Sequence, residues 1–352
     1  MRVLFLVSRD IRHPGNTGGD IGLWERAQYL VSEGHEVTVM ASSFPGALPR
    51  DTIDGIRVVR LGGLLSLWWR TFLFYISECR GKYDVVVVEG FGGSRIPRFT
   101  PLYGLTAFVH RNTIVMARTD EWKALFPRLG FKPGNIRVVP ACIGEDWIAE
   151  GGRTTISSAR LVWLGKFRRY KCPDHAIRAM AQVVRVVPGA RLILAGRHDD
   201  RAYEEELRNL VGELGLKGVA EFRFDISEEE KRSLLDSCCA LVLPSTVEGF
   251  GIVVLEANAR GAPVIASSGV PESAVRAGEN GLRYPFGQIT ELSSGIIRVL
   301  TDGELYPQLS ANSVAFAGRF AWRRVCSQYE EVLKECVRLR SKHDAAYRKA
   351  TL

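Results

Sequence analysis

The stretch PSTVEGFGIVVLEANARGAPVIAS, from Pro244 to Ser267, decides the fold of this chain. It begins where the apolar run ALVLP ends, passes through a glycine-containing loop and a helical pattern, and finishes in a second apolar run, PVIAS. Because both runs are apolar at every position, they predict strands buried on both faces, as in parallel sheets covered by helices. The loop between strand and helix then lies where α/β folds of this kind bind their ligands.

The same alternation of apolar run and helical pattern extends along the whole chain. One series of runs lies at residues 2–8, 36–41, 56–61, 84–89, 113–117 and 136–140, and a second lies at 160–165, 191–196, 219–224, 240–244 and 263–267. The polar segment GGRTTISS separates the two series. This organisation predicts two doubly wound, Rossmann-like domains facing a cleft. We expect them to span residues 1–150 and 151–318, followed by a helix at 319–352 that packs back toward the first domain.

The composition narrows the class of protein. Of 352 residues, 46% are hydrophobic and 24% are charged, which is typical of a globular protein and excludes a disordered or fibrous one. The formal net charge of +8 favours an anionic partner. Seven cysteines without paired spacing indicate a reduced, cytoplasmic setting rather than a disulfide framework. The first apolar run is too short for a secretion signal, and no run is long enough to span a membrane.

Three motifs of nucleotide and metal chemistry are missing. No G-x-G-x-x-G follows the first strand, no G-x-x-x-x-G-K-[ST] occurs, and no D-x-D pair occurs, while the six histidines stand singly. These absences disfavour a dinucleotide-dependent dehydrogenase, a P-loop enzyme and a metal site. We therefore expect chemistry on an anionic ligand that requires neither a cofactor nor a metal.

The loop after the run ALVLP carries the clearest candidate site. The backbone amides of Phe250, Gly251 and Ile252 would point out of a helix N-terminus, which favours a phosphate group. Glu248 lies in the loop and Glu256 lies just over one helical turn later. Since carboxylates accept hydrogen bonds, both glutamates could bind hydroxyl groups of a single ligand.

A second loop is rich in cations. The run RLVWLG is followed by Lys166, Arg168, Arg169 and Lys171, four cations within six residues. Cations at the carboxyl end of a strand suit a diphosphate, although a solvated basic loop is the alternative for both arginines. A third feature, the adjacent glycines Gly18-Gly19, precedes a predicted helix and allows either close approach to a ligand or a tight turn.

Taken together, these residues resemble glycosyltransferase family four, the retaining nucleotide-sugar transferases of the GT-B fold. The matching positions are Glu248 and Glu256 for the E-x7-E motif, Lys166 and Lys171 for the cations of the G-R-x-x-x-x-K loop, and Gly18-Gly19 with GHEVTV for the amino-terminal signature. The resemblance is continuous from about residue 159 to 325 and looser over 1–90 and 113–150.

The resemblance implies a role for each residue. Lys166 and Lys171 would bind the donor diphosphate. Glu256 would bind the ribose and Glu248 the donor sugar, while the amides of Phe250, Gly251 and Ile252 would bind sugar and phosphate. Gly18 and Gly19 would contact the diphosphate from the other domain. The family requires no metal, and its members transfer the sugar with retention while the departing phosphate takes the acceptor proton.

One segment departs from the family pattern. The family usually has a much longer segment between its counterparts of YDVVVVEG and TIVMARTDEWKALF than the residues 91–112 found here. The amino-terminal domain is therefore expected to be shortened on its acceptor side. His110, in AFVHRN, is the candidate for the histidine that contacts the donor sugar in the family, or else a structural residue.

Two functions follow from this reasoning. The first is a metal-independent retaining glycosyltransferase that acts on a hydroxyl of a glycan, a lipid-linked acceptor or a small molecule. The alternative is a nucleotide-sugar-binding protein with little or no transfer activity. A nucleic-acid binder is disfavoured because no basic-aromatic motif is present. The apolar segment Leu64–Ser77 is either a core helix or a peripheral membrane contact.

Overall fold

A computed structural model describes residues 1–16, 18–63, 66–79, 81–88, 113–156 and 158–350. Contacts divide the chain into two compact units, each with its own sheet. The first unit contains residues 1–88 and the chain from residue 323 onward, and the second contains residues 116–322. This grouping differs from the boundary expected at residue 150, because residues 116–150 belong with the second unit.

The first unit is a five-stranded sheet with helices. Its elements are β1 (Arg2–Leu6), α1 (Gly18–Ser32), β2 (Glu36–Ala41), β3 (Arg50–Ile53), β4 (Ile56–Arg60), α2 (Leu67–Phe74), a π-helical turn (Tyr75–Cys79), β5 (Val85–Val88) and the long carboxyl-terminal helix. The strand order is β3-β4-β2-β1-β5, parallel except for β3, which pairs antiparallel with β4. The hairpin formed by β3 and β4 was not expected from the sequence, because RDTI is not an apolar run.

The second unit contains the elements that carry the candidate site. They are β6 (Val115–Ala117), α3 (Asp120–Leu125), β7 (Ile136–Val138), β8 (Arg160–Lys166), α4 (Pro173–Val186), β9 (Arg191–Arg197), α5 (Arg201–Glu213), β10 (Ala220–Phe224), α6 (Glu228–Ser237), β11 (Ala240–Leu243), α7 (Ile252–Ala259), β12 (Val264–Ser267), β13 (Gly281–Tyr284), α8 (Ile289–Thr301) and α9 (Leu305–Gly318), after which α10 (Trp322–Ala350) returns to the first unit. Strands β8 to β13 form one parallel sheet in the order β10-β9-β8-β11-β12-β13. This is the strand order of a Rossmann fold.

Strand β8 shows why continuous apolar runs form this sheet. Leu161 and Trp163 are buried against helices α4 and α8, whereas Val162 and Leu164 are buried against α6 and α7. Each face of the sheet therefore packs on a separate apolar core, which gives the strand no polar face. The prediction of parallel strands covered on both sides is confirmed.

Residues 116–150 form a small two-stranded sheet of their own and contact the second unit. Strands β6 and β7 are three residues each and pair with one another. The Glu121 carboxylate accepts hydrogen bonds from the amide and hydroxyl of Ser273, at 2.9 and 2.7 Å. The amide of Ile143 donates to the carbonyl of Phe320, at 3.0 Å. These contacts anchor the segment to the second unit.

The segment Leu64–Ser77 is only partly described, since Leu64 and Leu65 lie outside the described residues. Its described part contributes α2 and the π-helical turn to the first unit. None of the helices in the described ranges is long and apolar enough to cross a membrane. A peripheral contact with a membrane surface stays a prediction.

The second sheet depends on a close backbone approach between β8 and β9. A Cβ atom on Gly196 would lie 1.7 Å from the carbonyl oxygen of Gly165, and the φ of Gly196 is +152°. We therefore expect Gly196→Ala to destabilise the protein by at least about 2–3 kcal/mol. Gly189→Ala is the matched control, because no atom lies within 4 Å of its added Cβ. Urea unfolding measures both, and equal stability of the two variants would contradict the packing described.

A buried carboxylate holds α10 in the first unit. Glu330 Oε1 lies 2.8 Å from His35 Nε2 and 3.0 Å from Lys334 Nζ. Burial raises the pKa of Glu330, but hydrogen bonds from His35 and Lys334 outweigh it and keep the pKa below its ordinary value. A carboxyl group with a lowered folded-state pKa stabilises the protein above its ordinary pKa and loses that contribution as the pH falls.

We therefore expect Glu330→Gln to lower the free energy of unfolding by about 1–2 kcal/mol at neutral pH. The difference from the unmodified protein should shrink as the pH falls below about 4, where the glutamate becomes protonated. The neighbouring Glu331, whose side chain is 57% exposed, provides the control variant Glu331→Gln. A loss of stability that does not change between pH 7 and pH 3 would disprove the ionic role of Glu330.

Candidate functional site

The strand order of the second unit reverses between β8 and β11, and the candidate residues lie there. The chain runs outward from β8 through β9 to β10, then returns to β11 on the other side of β8 and continues to β13. The connections that leave the carboxyl ends of β8 and β11 thus diverge, which opens the crevice where doubly wound folds bind ligands. Lys166 is the last residue of β8, Lys171 lies in the connection after it, and Glu248 follows β11.

Lys171 is directed into this crevice by the turn that precedes α4. A 3₁₀ turn covers Arg169–Lys171, and Cys172 adopts a left-handed conformation with φ +48° before the helix begins. The carbonyl of Lys171 accepts a hydrogen bond from the indole of Trp163, at 3.3 Å. Its side chain is 16% exposed, and Nζ lies 2.5 Å from Glu248 Oε1. The turn therefore holds a largely buried ammonium group against a buried carboxylate.

Glu248 is fixed by its own loop as well as by the lysine. The Ser245 hydroxyl donates to Glu248 Oε1 at 2.8 Å, and the Glu248 amide donates to the carbonyl of Gly269 at 3.1 Å. A Cβ atom on Gly269 would lie within 2.4 Å of the carbonyl oxygens of Ser245 and Thr246, so only glycine fits there. The loop that carries Glu248 is thus packed against the chain that follows β12.

Glu256 lies on α7, where it is paired with a second lysine. Its side chain is 11% exposed, and its Oε1 atom lies 2.6 Å from Nζ of Lys231 on α6. Burial raises the pKa of Glu256 above its ordinary value, while the attraction of Lys231 opposes that shift. Burial lowers the pKa of Lys231, but Glu256 and Glu228 outweigh burial and raise it above its ordinary value.

The far end of α7 is anchored by a buried amide network. Asn258 Nδ2 donates to the carbonyl of Ala262 at 3.0 Å, and Asn280 Nδ2 donates to Asn258 Oδ1 at 2.7 Å. Ser313 on α9 joins the same network. Because every buried polar group here has a partner, the network fixes the helix that carries Glu256.

The amino-terminal end of α7 has the features expected for a phosphate contact. Gly251 caps the helix with φ +85°, and Ile252 is the first helical residue. The amides of a first helical turn have no acceptor within the helix, so they favour an anion. The Phe250 ring is buried in the core against Phe320, at 5.4 Å between centroids, so only its backbone can serve a ligand.

The two arginines of the basic loop form surface ion pairs. Arg168 pairs with Asp199, its Nη2 atom 2.8 Å from Oδ1, and Arg169 pairs with Glu206 at 2.6 Å. The Arg169 side chain is 63% exposed, whereas Lys166 and Lys171 are partly buried. Of the four cations in this loop, the two lysines are therefore the candidates for ligand binding.

Three of the predicted residues lie outside the described part of the second unit. Gly18 and Gly19 lie in the first unit, where they begin α1. Their approach to the diphosphate stays a prediction. His110 lies outside the described residues, and its contact with the donor sugar also stays a prediction.

Sequence reasoning missed Ser245 and Lys231, which partner the two glutamates. Ser245 follows ALVLP directly, and its position at a strand end was the available signal. Lys231 lies in the run SEEEKR, which is typical of a solvated helix start, so nothing in the pattern indicated a buried contact.

Among the described residues, one group has ligand atoms close enough to consider a metal ion. Atoms of Cys172, Asp174 and His175 lie within 4.8 Å of one another. Burial, aided by Asp174, raises the pKa of the Cys172 thiol to about 11, so a metal ion would have to displace its proton. The neighbouring Lys171 and the N-terminus of α4 also disfavour a cation. This cluster does not fit a metal ion well.

The arrangement can bind an anion that also carries hydroxyl groups. Lys166, Lys171 and the first turn of α7 supply positive charge and amide donors, while Glu248 and Glu256 supply acceptors. Each glutamate already contacts a lysine, so both carboxylate charges are balanced without a ligand. A ligand would exchange these internal contacts for its own phosphates and hydroxyls.

Comparison with known sequences finds a family that is similar to the second unit. Residues 157–315 match the family described as glycosyl transferases group 1. The D-inositol 3-phosphate glycosyltransferase of Acidothermus cellulolyticus is 32% identical over 223 residues, which is 58% of this chain and 49% of the relative. The enzyme of the same name from Streptomyces bingchenggensis is 29% identical over 306 residues, 80% of this chain and 66% of the relative. The chain thus spans about half to two thirds of the length of these relatives.

Solved structures share the fold. Anabaena Alr3699/HepE, in complex with UDP and glucose, matches with a TM-score of 0.77 and 18% identity, over 95% of this chain and 100% of that one. The sucrose-phosphate synthase of Thermosynechococcus elongatus matches with a TM-score of 0.79 and 19% identity, over 95% and 98%. These matches confirm the predicted α/β fold of the GT-B class. The resemblance to glycosyltransferase family four is also confirmed, and residues 157–315 carry the match to the group 1 glycosyl transferases.

Proposed function

We propose that this protein is a retaining glycosyltransferase that moves a sugar from a nucleoside diphosphate sugar to a hydroxyl acceptor without a metal ion. The observation that carries the proposal is the Lys171–Glu248 pair at the point where the strand order reverses. An ammonium group and a carboxylate, both largely buried and 2.5 Å apart, form a site for a ligand with phosphate and hydroxyl groups.

Each part of the donor would bind a different set of groups in the second unit. Lys171 and Lys166 would neutralise the diphosphate, and the amides of Gly251 and Ile252 would donate to a phosphate or sugar oxygen. Glu256 would accept hydrogen bonds from the ribose hydroxyls, and Glu248 from a hydroxyl of the donor sugar. The lysines would take the place that a divalent cation has in other transferases.

The acceptor would attack the sugar from the same face that the diphosphate leaves. The acceptor oxygen bonds to the anomeric carbon while the bond from that carbon to the diphosphate oxygen breaks. The acceptor proton passes to the departing phosphate oxygen, so atoms and charge balance without a protein nucleophile. Lys171 and Lys166 would stabilise the negative charge that develops on the diphosphate.

The comparisons suggest where to look for the donor. Alr3699/HepE is described in complex with UDP, with UDP-glucose, and with UDP and glucose. A UDP-sugar is therefore the first donor to test, with GDP- and ADP-sugars as alternatives. The acceptor is proposed only as a hydroxyl compound, because the chain matches the D-inositol 3-phosphate glycosyltransferases over only part of their length.

The alternative is a protein that binds a nucleotide sugar with little transfer. The described donor-site groups all lie in the second unit, whereas the predicted shortening of the acceptor side falls on residues outside the described ranges. Donor binding and transfer are thus separable properties of this chain.

Two measurements test the proposal and separate it from the alternative. Thermal-shift screening with UDP, GDP and ADP should show a raised melting temperature for one of them. Incubation of the matching nucleotide sugar with hydroxyl acceptors, with EDTA present, should give a glycoside of retained anomeric configuration. Binding without product would favour the alternative, and binding of none of the three would overturn both.

Replacement of Lys171 should weaken the binding of the nucleoside diphosphate. Lys171→Met removes a charge-assisted contact, which corresponds to about 1.5–3 kcal/mol, or roughly a 10- to 150-fold rise in Kd by calorimetry. Arg169→Met is the control, because Arg169 is an exposed cation two residues away whose partner is Glu206. We expect its Kd to stay within about twofold.

The lysine variant leaves Glu248 without its cation, so its effect could come from a distorted loop. The double variant Lys171→Met with Glu248→Gln removes that buried charge and should recover thermal stability without recovering affinity. An affinity in either lysine variant equal to that of the unmodified protein would exclude Lys171 from the donor site.

The two glutamates should separate ribose binding from sugar transfer. Glu256→Gln should weaken the free nucleoside diphosphate by about tenfold, because an ionised acceptor of the ribose hydroxyls is lost. Glu248→Gln should leave that affinity equal or slightly higher, since Lys171 is released toward the phosphates, and should lower kcat. Calorimetry and initial rates measure these effects, and the reverse pattern would mean that the roles are exchanged.

A further inference from the structure

Lys231 is much more buried than the exposed Glu228 in the same run of charged residues. It is the fourth residue of α6, in the run Glu228-Glu229-Glu230-Lys231-Arg232. The side chain of Glu228 is 75% exposed, as expected for a solvated helix start, whereas that of Lys231 is only 16% exposed. A lysine is rarely buried to this extent unless it is paired.

The ammonium group of Lys231 has three neighbours. Nζ lies 2.6 Å from Oε1 of Glu256 and 2.7 Å from Oε2 of Glu228, and it lies over the ring of Trp147 at 5.2 Å. Glu228 is exposed, so water screens its attraction more than that of the buried Glu256. Two of the three donors of this ammonium group are directed at carboxylates, so at most one remains for a ligand.

Burial and the pairing with Lys231 act in opposite directions on the Glu256 carboxyl group. A carboxyl group buried to this extent tends to take up a proton, and burial does raise the pKa of Glu256. A protonated carboxyl group has lost the charge that strengthens hydrogen bonds from hydroxyl groups. The lysine opposes protonation and also fixes Oε1, which leaves the other carboxylate oxygen for a ligand.

We propose that Lys231 is a positioning residue of the donor site, which holds the Glu256 carboxylate ionised and oriented for the ribose hydroxyls. The inference rests on the proposed function, in which Glu256 binds the ribose. Lys231 acts through Glu256 and touches no reacting atom.

The first test measures selectivity for the ribose hydroxyls. Calorimetry gives the ratio of the Kd for 2′,3′-dideoxy-UDP to the Kd for UDP, a ratio that we expect to be about tenfold or more in the unmodified protein. Lys231→Met should reduce the ratio to about 2 or less, and Lys231→Arg should restore most of it. In turnover, Lys231→Met should raise the donor KM about tenfold with kcat within about threefold.

Lys217→Met is the control for loss of a lysine charge, because Lys217 is exposed in the loop after α5. It should leave the ratio unchanged. A merely structural role of Lys231 would weaken UDP and its dideoxy analogue equally. An unchanged ratio in Lys231→Met would therefore overturn the proposal.

The second test needs no ligand and reports on the pair itself. In Lys231→Met, Glu256 is a buried carboxylate without its cation, so the double variant Lys231→Met with Glu256→Gln should melt at a higher temperature than Lys231→Met alone. If the losses of the two single variants simply add, Lys231 does not act through Glu256. If this coupling is present but no nucleoside diphosphate binds the unmodified protein, the proposed function fails and the ribose role fails with it.

Discussion

The reversal of strand order between β8 and β11 is the constraint on which the site depends. Hydrogen bonds hold the two strands side by side, yet their following connections leave in opposite directions. No loop can close the gap beyond their carboxyl ends, so side chains from both connections meet there. Lys171 and Glu248, far apart in sequence, become neighbours for this reason. The close backbone approach of β8 and β9 at Gly196 belongs to the same sheet.

The charged groups of the site form ion pairs within the protein. Glu248 with Lys171 and Glu256 with Lys231 are both mostly buried, and such pairs gain little stability because desolvation offsets their attraction. A contribution to stability therefore does not explain why these pairs are present. A diphosphate with ribose and sugar hydroxyls offers each member of these pairs an equivalent partner, so a ligand can replace a contact without leaving a charge unpaired.

The sequence predicted what depends on local patterns and missed what depends on packing. Continuous apolar runs gave the strands, and a strand–loop–helix pattern gave Lys171, Glu248 and Glu256. The hairpin strand RDTI has no apolar run, and strands β6 and β7 looked like members of the first series because a short run does not reveal its partner. Lys231 could not be predicted either, because only the packing of α6 on α7 distinguishes it from the solvated charges beside it.

Helix α7 explains why a site built from loops can still be rigid. Its carboxyl-terminal end is held by Asn258, whose amide is used fully within the buried network with Asn280 and Ser313. Toward its other end, Lys231 holds Glu256, and the core holds Phe250. The helix is therefore fixed at both ends before any ligand binds, so its first-turn amides and its carboxylate are already oriented. Binding then costs less ordering, and the position of the donor is defined by the core rather than by the mobility of surface loops.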